Sequence, residues 1–180
     1  SVKAVSLLAG DSRLTGIAAE IMGCVMIPFK ATLFEKTGKA NWLVAFHQDT
    51  ALPLCRPTDR DGWGPHSVKE GIVFAHAPTR ALIRILALRV HLDASDEDNG
   101  PLRVIPSTHH GRIRDEDEFA HAVRLKPAVK CLVEKGGVIA MSPLIIHASS
   151  KSAKDHPRRV LHIEYTSTME IDPDVFLTTA

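Results

Sequence analysis

The sequence predicts an all-β domain with minor helices, a sandwich or barrel. One helical pattern near the start gives way to about eight short apolar or alternating runs separated by Gly-, Pro-, Asn- and Asp-rich turns. No βαβ rhythm, GxGxxG or P-loop occurs, so a nucleotide-binding α/β fold is not expected. The 180 residues read as a single domain, 1–180, long enough to bury a real core.

Residues 11–23 predict a helix: Asp11 or Ser12 can cap it, Leu14, Ile17, Ala18 and Ile21 recur at helical spacing, and Gly23 stops it. Residues 26–35 and 42–47 are apolar, aromatic runs that predict strands, with 36–41 as a hairpin loop between them. Residues 50–80, rich in Pro and Gly, predict a long irregular loop, a candidate lid. Trp63 within it is either a substrate contact or an anchor for the loop tip. An apolar run at 81–92 carries Arg84, Arg89 and His91. Residues 96–100 are a turn signal, and 102–105 a short strand ended by Pro106. Residues 115–124 predict a short helix; 129–133, 138–141, 144–147 and 159–166 predict the remaining strands.

A formal net charge of +1 gives no electrostatic case for nucleic acid or a membrane surface, so the expected partner is a small molecule. No apolar run reaches the roughly 18 residues of a membrane helix. Asp11, Arg13 and Glu20 interrupt the apolar start, unlike a signal peptide. Three scattered cysteines without a CxxC pair fit neither a zinc ribbon nor a disulfide framework, and point to a reducing, cytoplasmic setting.

The chemistry is concentrated in His47-Gln48-Asp49, with His147 and Arg158 about a hundred positions on. At a strand end, side chains 47 and 49 share one face and 48 points to the other. Two histidines and a carboxylate can fill one face of a metal octahedron and leave the rest open, the ligand set of non-haem Fe(II) oxygenases. An arginine nearby can hold a dicarboxylate in bidentate fashion. The plainer alternative is a surface His beside an Asp that caps a turn. Both histidines follow apolar runs, His47 after 42–46 and His147 after 144–146. Arg158 opens the next strand, so two adjacent antiparallel strands would bring it near His147.

At these residues the chain resembles the phytanoyl-CoA dioxygenase family of Fe(II)/2-oxoglutarate oxygenases. The resemblance rests on His47-Gln48-Asp49, on Leu92-Asp93 followed by Asn99-Gly-Pro-Leu-Arg-Val-Ile-Pro106, on His147-Ala-Ser149 and on Arg158-Arg-Val-Leu-His-Ile-Glu-Tyr165, and spans about residues 29–166. It implies a double-stranded β-helix, or jelly roll (cupin-like), with Fe(II) held by His47, Asp49 and His147 and with 2-oxoglutarate and O2 as co-substrates. It further implies that Arg158 pairs with the C5 carboxylate of 2-oxoglutarate, with Ser149 adding a hydroxyl and Arg159 in reserve, since doubled arginines leave the register ambiguous by one. Lys36 and Arg89 fall on strands that approach the co-substrate in the family. The family's Pro-Gly-Ser-His stands here as Pro106-Ser-Thr-His109, and the N-terminal region is shorter than usual. Asp49 occupies the position that related halogenases leave to Ala or Gly, which implies hydroxylation, or a related oxidation, of an unactivated C–H in a small-molecule or acyl substrate. The rival classes are a non-catalytic jelly-roll binding protein and a cupin-like metalloenzyme that does not use 2-oxoglutarate.

Overall fold

A computed structural model describes residues 2–37 and 41–180. The chain runs through α1 (Val2–Ala9), α2 (Ser12–Met22), β1 (Ile27–Lys36), β2 (Val44–His47), β3 (Ala51–Leu54), β4 (His66–Lys69), β5 (Ile72–His76), α3 (Thr79–Leu82), β6 (Ile85–His91), β7 (Leu102–Val104), α4 (Glu116–Leu125), β8 (Val129–Cys131), β9 (Val138–Met141), β10 (His147–Ser149), β11 (Arg158–Thr166), β12 (Glu170–Asp172) and β13 (Val175–Phe176). Two antiparallel four-stranded sheets, ordered β1-β11-β6-β9 and β2-β10-β7-β8, make the jelly roll. A three-stranded sheet, β3-β5-β4, and the β12-β13 hairpin stand beside them.

Helix α2 ends where the sequence says it should. Asp11 accepts from the Arg13 amide at its start, and Gly23 closes it at φ 70°. Helix α1, unanticipated, packs with α2 on the outer face of the first sheet against Leu86, Leu88, Leu161, Ile163 and Tyr165. The wholly buried Tyr165 donates its hydroxyl to the Ala9 carbonyl, so the aromatic at this interface leaves no polar atom stranded. The alternation that sends Leu161, Ile163 and Tyr165 outward turns Arg158, Val160, His162 and Glu164 into the barrel.

Three expectations need correcting. Strands β1 and β2 lie in different sheets, so 36–41 is a crossing and not a hairpin loop; residues 38–40 of it fall outside the described residues. Residues 50–80 are not an irregular loop. Glu70 (φ 52°) and Gly71 (φ 81°) form a two-residue turn between paired Lys69 and Ile72, the left-handed geometry that suits a tight hairpin, and Pro53 is accommodated in β3. Trp63 is an anchor: its indole donates to Asp172 Oδ2 at 2.9 Å and its ring packs on the core. Finally, His147 begins β10 and does not end a strand at 144–147. Ile145 donates back to the Ser142 carbonyl in a turn, while Leu144 and Ile146 are drawn into the interior.

The Asn-Gly turn, which carries the chain from β6 to β7 in the other sheet, is built as its residue types demand. Asn99 donates to the Ala94 carbonyl and accepts from the Asp96 amide, and Asp96 accepts from the amides of Asp98 and Asn99. Gly100 has φ 71°, and a Cβ there would lie 2.4 Å from the Ser150 carbonyl oxygen. Ser107, standing where the resembled family has Gly, has φ 66°. Two outcomes are expected in urea unfolding. Gly100→Ala should lose about 2–4 kcal/mol through left-handed strain plus a backbone clash. Ser107→Gly should gain about 0.5–1 kcal/mol, strain relief outweighing the added freedom of the unfolded chain.

Candidate metal centre

Pairing of β2 with β10 puts His47 directly opposite His147. Two residues of β10 span three of β2 before Val44 meets Ser149, so β2 is bulged just ahead of the site. The bulge lets Val44 and His47 both face the interior. The imidazole centroids lie 4.2 Å apart. Each Nδ1 is 2.8–2.9 Å from the carbonyl oxygen two residues earlier, Ala45 for His47 and Ile145 for His147. That pins the ring and leaves Nε2 to face inward. Asp49 is held by its amide, which donates to the Pro143 carbonyl at 2.8 Å.

The result is one convergent point. His47 Nε2 is 3.2 Å from Asp49 Oδ1 and His147 Nε2 is 3.4 Å from Asp49 Oδ2, and the three ligand atoms all lie within 4.8 Å of one another. With each Nδ1–H given to a carbonyl, an unprotonated Nε2 would turn a lone pair toward a carboxylate oxygen. The geometry therefore calls for positive charge between them, a proton or a metal ion. Burial alone would raise the Asp49 carboxyl, but hydrogen bonds from His147 and His47 hold it well below the usual carboxylate range. Burial opposes a charged His47, yet Asp49 and the Ala45 carbonyl raise it above an ordinary imidazole.

The same three side chains line a cavity of about 70 Å³ with Phe34, Lys36, Arg89, Ser149 and Arg158. Lys36 and Arg158 are register partners on β1 and β11, and β10 comes from the facing sheet. Arg158 and His147 thus meet across two sheets, where adjacent strands had been expected. Lys36 donates to Ser149 Oγ at 2.8 Å and to the Ser150 carbonyl. Burial, then Arg158 and Arg103, push its ammonium down to about 8. Arg158 donates from Nε to the carbonyl of Asn99, the residue whose side chain knits the Asn-Gly turn, and its Nη atoms make no further hydrogen bond among the described residues. Arg89 lies over the Phe34 ring, its Nε buried without a partner, and burial pushes it down to about 10. Arg159 faces the other way and pairs with Asp93 at 2.8 Å.

Sequence reasoning turned Gln48 away from the site without giving it a task. Its amide donates to the Gly111 and Leu144 carbonyls and accepts from the Ile113 amide at 2.9 Å. It joins the His47–Asp49 segment to the turn before His147 and to residues 111–113. No local pattern marks such a residue; the signal is that all three partners are backbone groups distant in sequence. Gln48→Met keeps the length and loses every bond, so urea unfolding should register a loss of about 2–4 kcal/mol, one unsatisfied group at a time.

The family description "Phytanoyl-CoA dioxygenase (PhyH)" matches residues 11–160. No curated protein matches. Among solved structures, AviO1 from Streptomyces viridochromogenes Tue57 shares 23% identity over 93% of this chain and 60% of its own, with a TM-score of 0.64. EctD from S. alaskensis, solved with 2-oxoglutarate and 5-hydroxyectoine, shares 22% over 89% of this chain and 51% of its own, with a TM-score of 0.66. SnoN, a non-heme alpha ketoglutarate dependent epimerase from nogalamycin biosynthesis, shares 18% over 91% of this chain and 56% of its own, with a TM-score of 0.63. This chain therefore spans between half and two thirds of the length of these structures, and they share the jelly-roll fold. The match over residues 11–160, on a fold of this kind, places the chain in the phytanoyl-CoA dioxygenase family.

Proposed function

We propose that this protein is an Fe(II)- and 2-oxoglutarate-dependent dioxygenase that hydroxylates an unactivated C–H bond of a small molecule. One observation carries the reading: Lys36, Arg89 and Arg158, three buried cations, face a cavity whose only carboxylate, among the described residues, is that of the His47–Asp49–His147 group. Such a surplus fits a dianionic ligand beside a metal ion. Family membership and EctD, a structural relative that holds 2-oxoglutarate, point the same way.

In this reading His47, Asp49 and His147 hold the metal through two Nε2 atoms and a carboxylate oxygen. Fe(II) with 2-oxoglutarate and O2 supplies the oxidising power that a C–H bond requires. Arg158 offers its Nη edge to the distal carboxylate in a fork. Ser149, accepting from Lys36, keeps its own O–H to donate to the same group. Lys36 and Arg89 add charge without reaching for the metal. Phe34 and Leu102 close the apolar sides and keep water from competing.

Anaerobic addition of Fe(II) and 2-oxoglutarate should produce a weak visible charge-transfer band; folded, metal-loaded protein with no band would refute the assignment. Arg158→Ala should weaken 2-oxoglutarate binding by roughly 100-fold, the cost of losing a buried charged partner, while Arg159→Ala leaves it within about twofold. Unchanged binding in Arg158→Ala would favour a cupin-like metalloenzyme or a binding protein. Lys36 sets a pH dependence. Because it loses its proton near 8 in the folded state, affinity for the dicarboxylate, read by calorimetry, should fall as pH rises through that value. Its contribution to stability runs oppositely. The unfolded chain holds this proton up to about 10.5, so the burial penalty is full below about 8 and is relieved between the two. Lys36→Met should flatten both profiles.

A further inference from the structure

A second cavity opens beside the metal pocket. It measures about 470 Å³, within the range of small-molecule sites, and is walled by Lys30, Thr32, Ala51, Lys69, Ile72 and Phe74, with Glu70 and Ala180 at its rim. Two strands tie it to the metal pocket by alternation. On β1, Lys36 and Phe34 line the metal cavity and Thr32 and Lys30 line the second one, along the same inward face. Asp49 lines the first and Ala51, two residues on, the second. Same-face neighbours in extended chain are about 7 Å apart, so the two spaces adjoin. A buried row runs beneath: Arg89 contacts His162 Nδ1 at 3.1 Å, His162 Nε2 is 3.5 Å from Glu164, and Glu164 pairs with Lys30 at 3.0 Å. The apolar groove of about 450 Å³ between α1 and β1, with Ala31 and Leu33, meets the second cavity at Lys30 and Ala180 and shares no lining residue with the metal pocket.

The walls specify chemistry. Ala51, Ile72 and Phe74 offer an apolar floor. Lys30 is matched by Glu164 behind it, whereas Lys69 leans over the Phe74 ring, 5.6 Å from its centroid, with no carboxylate in ion-pair range among the described residues. Glu70, beside Lys69 in the turn, also lines the cleft; Lys69 and Phe74 together mark where an anionic end would sit. Resting on the dioxygenase reading above, we propose that this cleft receives the molecule to be oxidised, and that this molecule is a small organic anion, apolar body on Phe74 and anionic end toward Lys69.

The test uses the full chain loaded with Mn(II), saturated with 2-oxoglutarate, and three probes of one length: hexanoate, hexylammonium and hexanol. Paramagnetic broadening of probe protons reports approach to the metal. Hexanoate should broaden most, by roughly threefold to fivefold over hexanol, as one exposed ion pair allows. Lys69→Glu, at an exposed site, should reverse the order in favour of hexylammonium. Ala51→Trp should remove broadening of all three probes while that of 2-oxoglutarate persists. Equal broadening of the three probes, or probes indifferent to Ala51→Trp, would overturn the proposal. The protons of 2-oxoglutarate separate the two readings. If they fail to broaden in the unmutated protein, the metal-pocket assignment falls; if they broaden and the probes do not, only the cleft assignment falls.

Discussion

Positive charge inside the barrel is the constraint to which the rest of the structure answers. Lys36, Arg89 and Arg158 are buried within one small cavity, and desolvation depresses all three. Buried cations of this kind persist only where neighbours share the load. Here the load is spread over backbone carbonyls of Ser150 and Asn99, the Ser149 hydroxyl, the His162 ring and the face of Phe34. None of these neutralises charge; among the described residues Asp49 is the one carboxylate lining the cavity, and Glu164 is reached only through His162. The sheets can thus be read as a frame that holds a positive interior in place for a negative guest.

The frame itself is economical. Opposed registry of β2 and β10 sets the two imidazoles side by side, and a bulge adjusts the residue count so that Val44 and His47 both face inward. Opposed registry of β1 and β11 sets Lys36 beside Arg158. The Asn99 turn supports Arg158 with a carbonyl, and Gly100 lets the segment carrying Ser150, whose carbonyl Lys36 uses, approach within backbone contact. Residues that look like turn formers are therefore also charge-positioning devices.

Much of this was legible in the residues because short-range chemistry determined it. Asp11 and Gly23 bracket α2, strand alternation sends 47 and 49 one way and 48 the other, and the residue types at 47, 49 and 147 mark the group that the fold brings together as a candidate metal site. The choice between Arg158 and Arg159 was not legible, since adjacent arginines look alike until β1 fixes which of them faces inward. Nor was the sheet formed by β3, β4 and β5. Its Pro and Gly content resembles that of an irregular loop, and only the turn at Glu70-Gly71 together with pairing to Ile72–His76 makes it a sheet. Sheet membership, which separates β1 from β2, depends on partners far along the chain and leaves no local trace.

The last residues join two of these pieces. The Thr178 amide donates to Pro53 in β3, while Ala180 exchanges hydrogen bonds with Phe29 and Ala31 in β1. A strand at the margin of a sheet exposes a row of unpaired amides and carbonyls that another polypeptide can copy onto. Because Ala180 occupies part of that row along β1, the seam beside the cleft also lowers the hazard of edge-to-edge aggregation there.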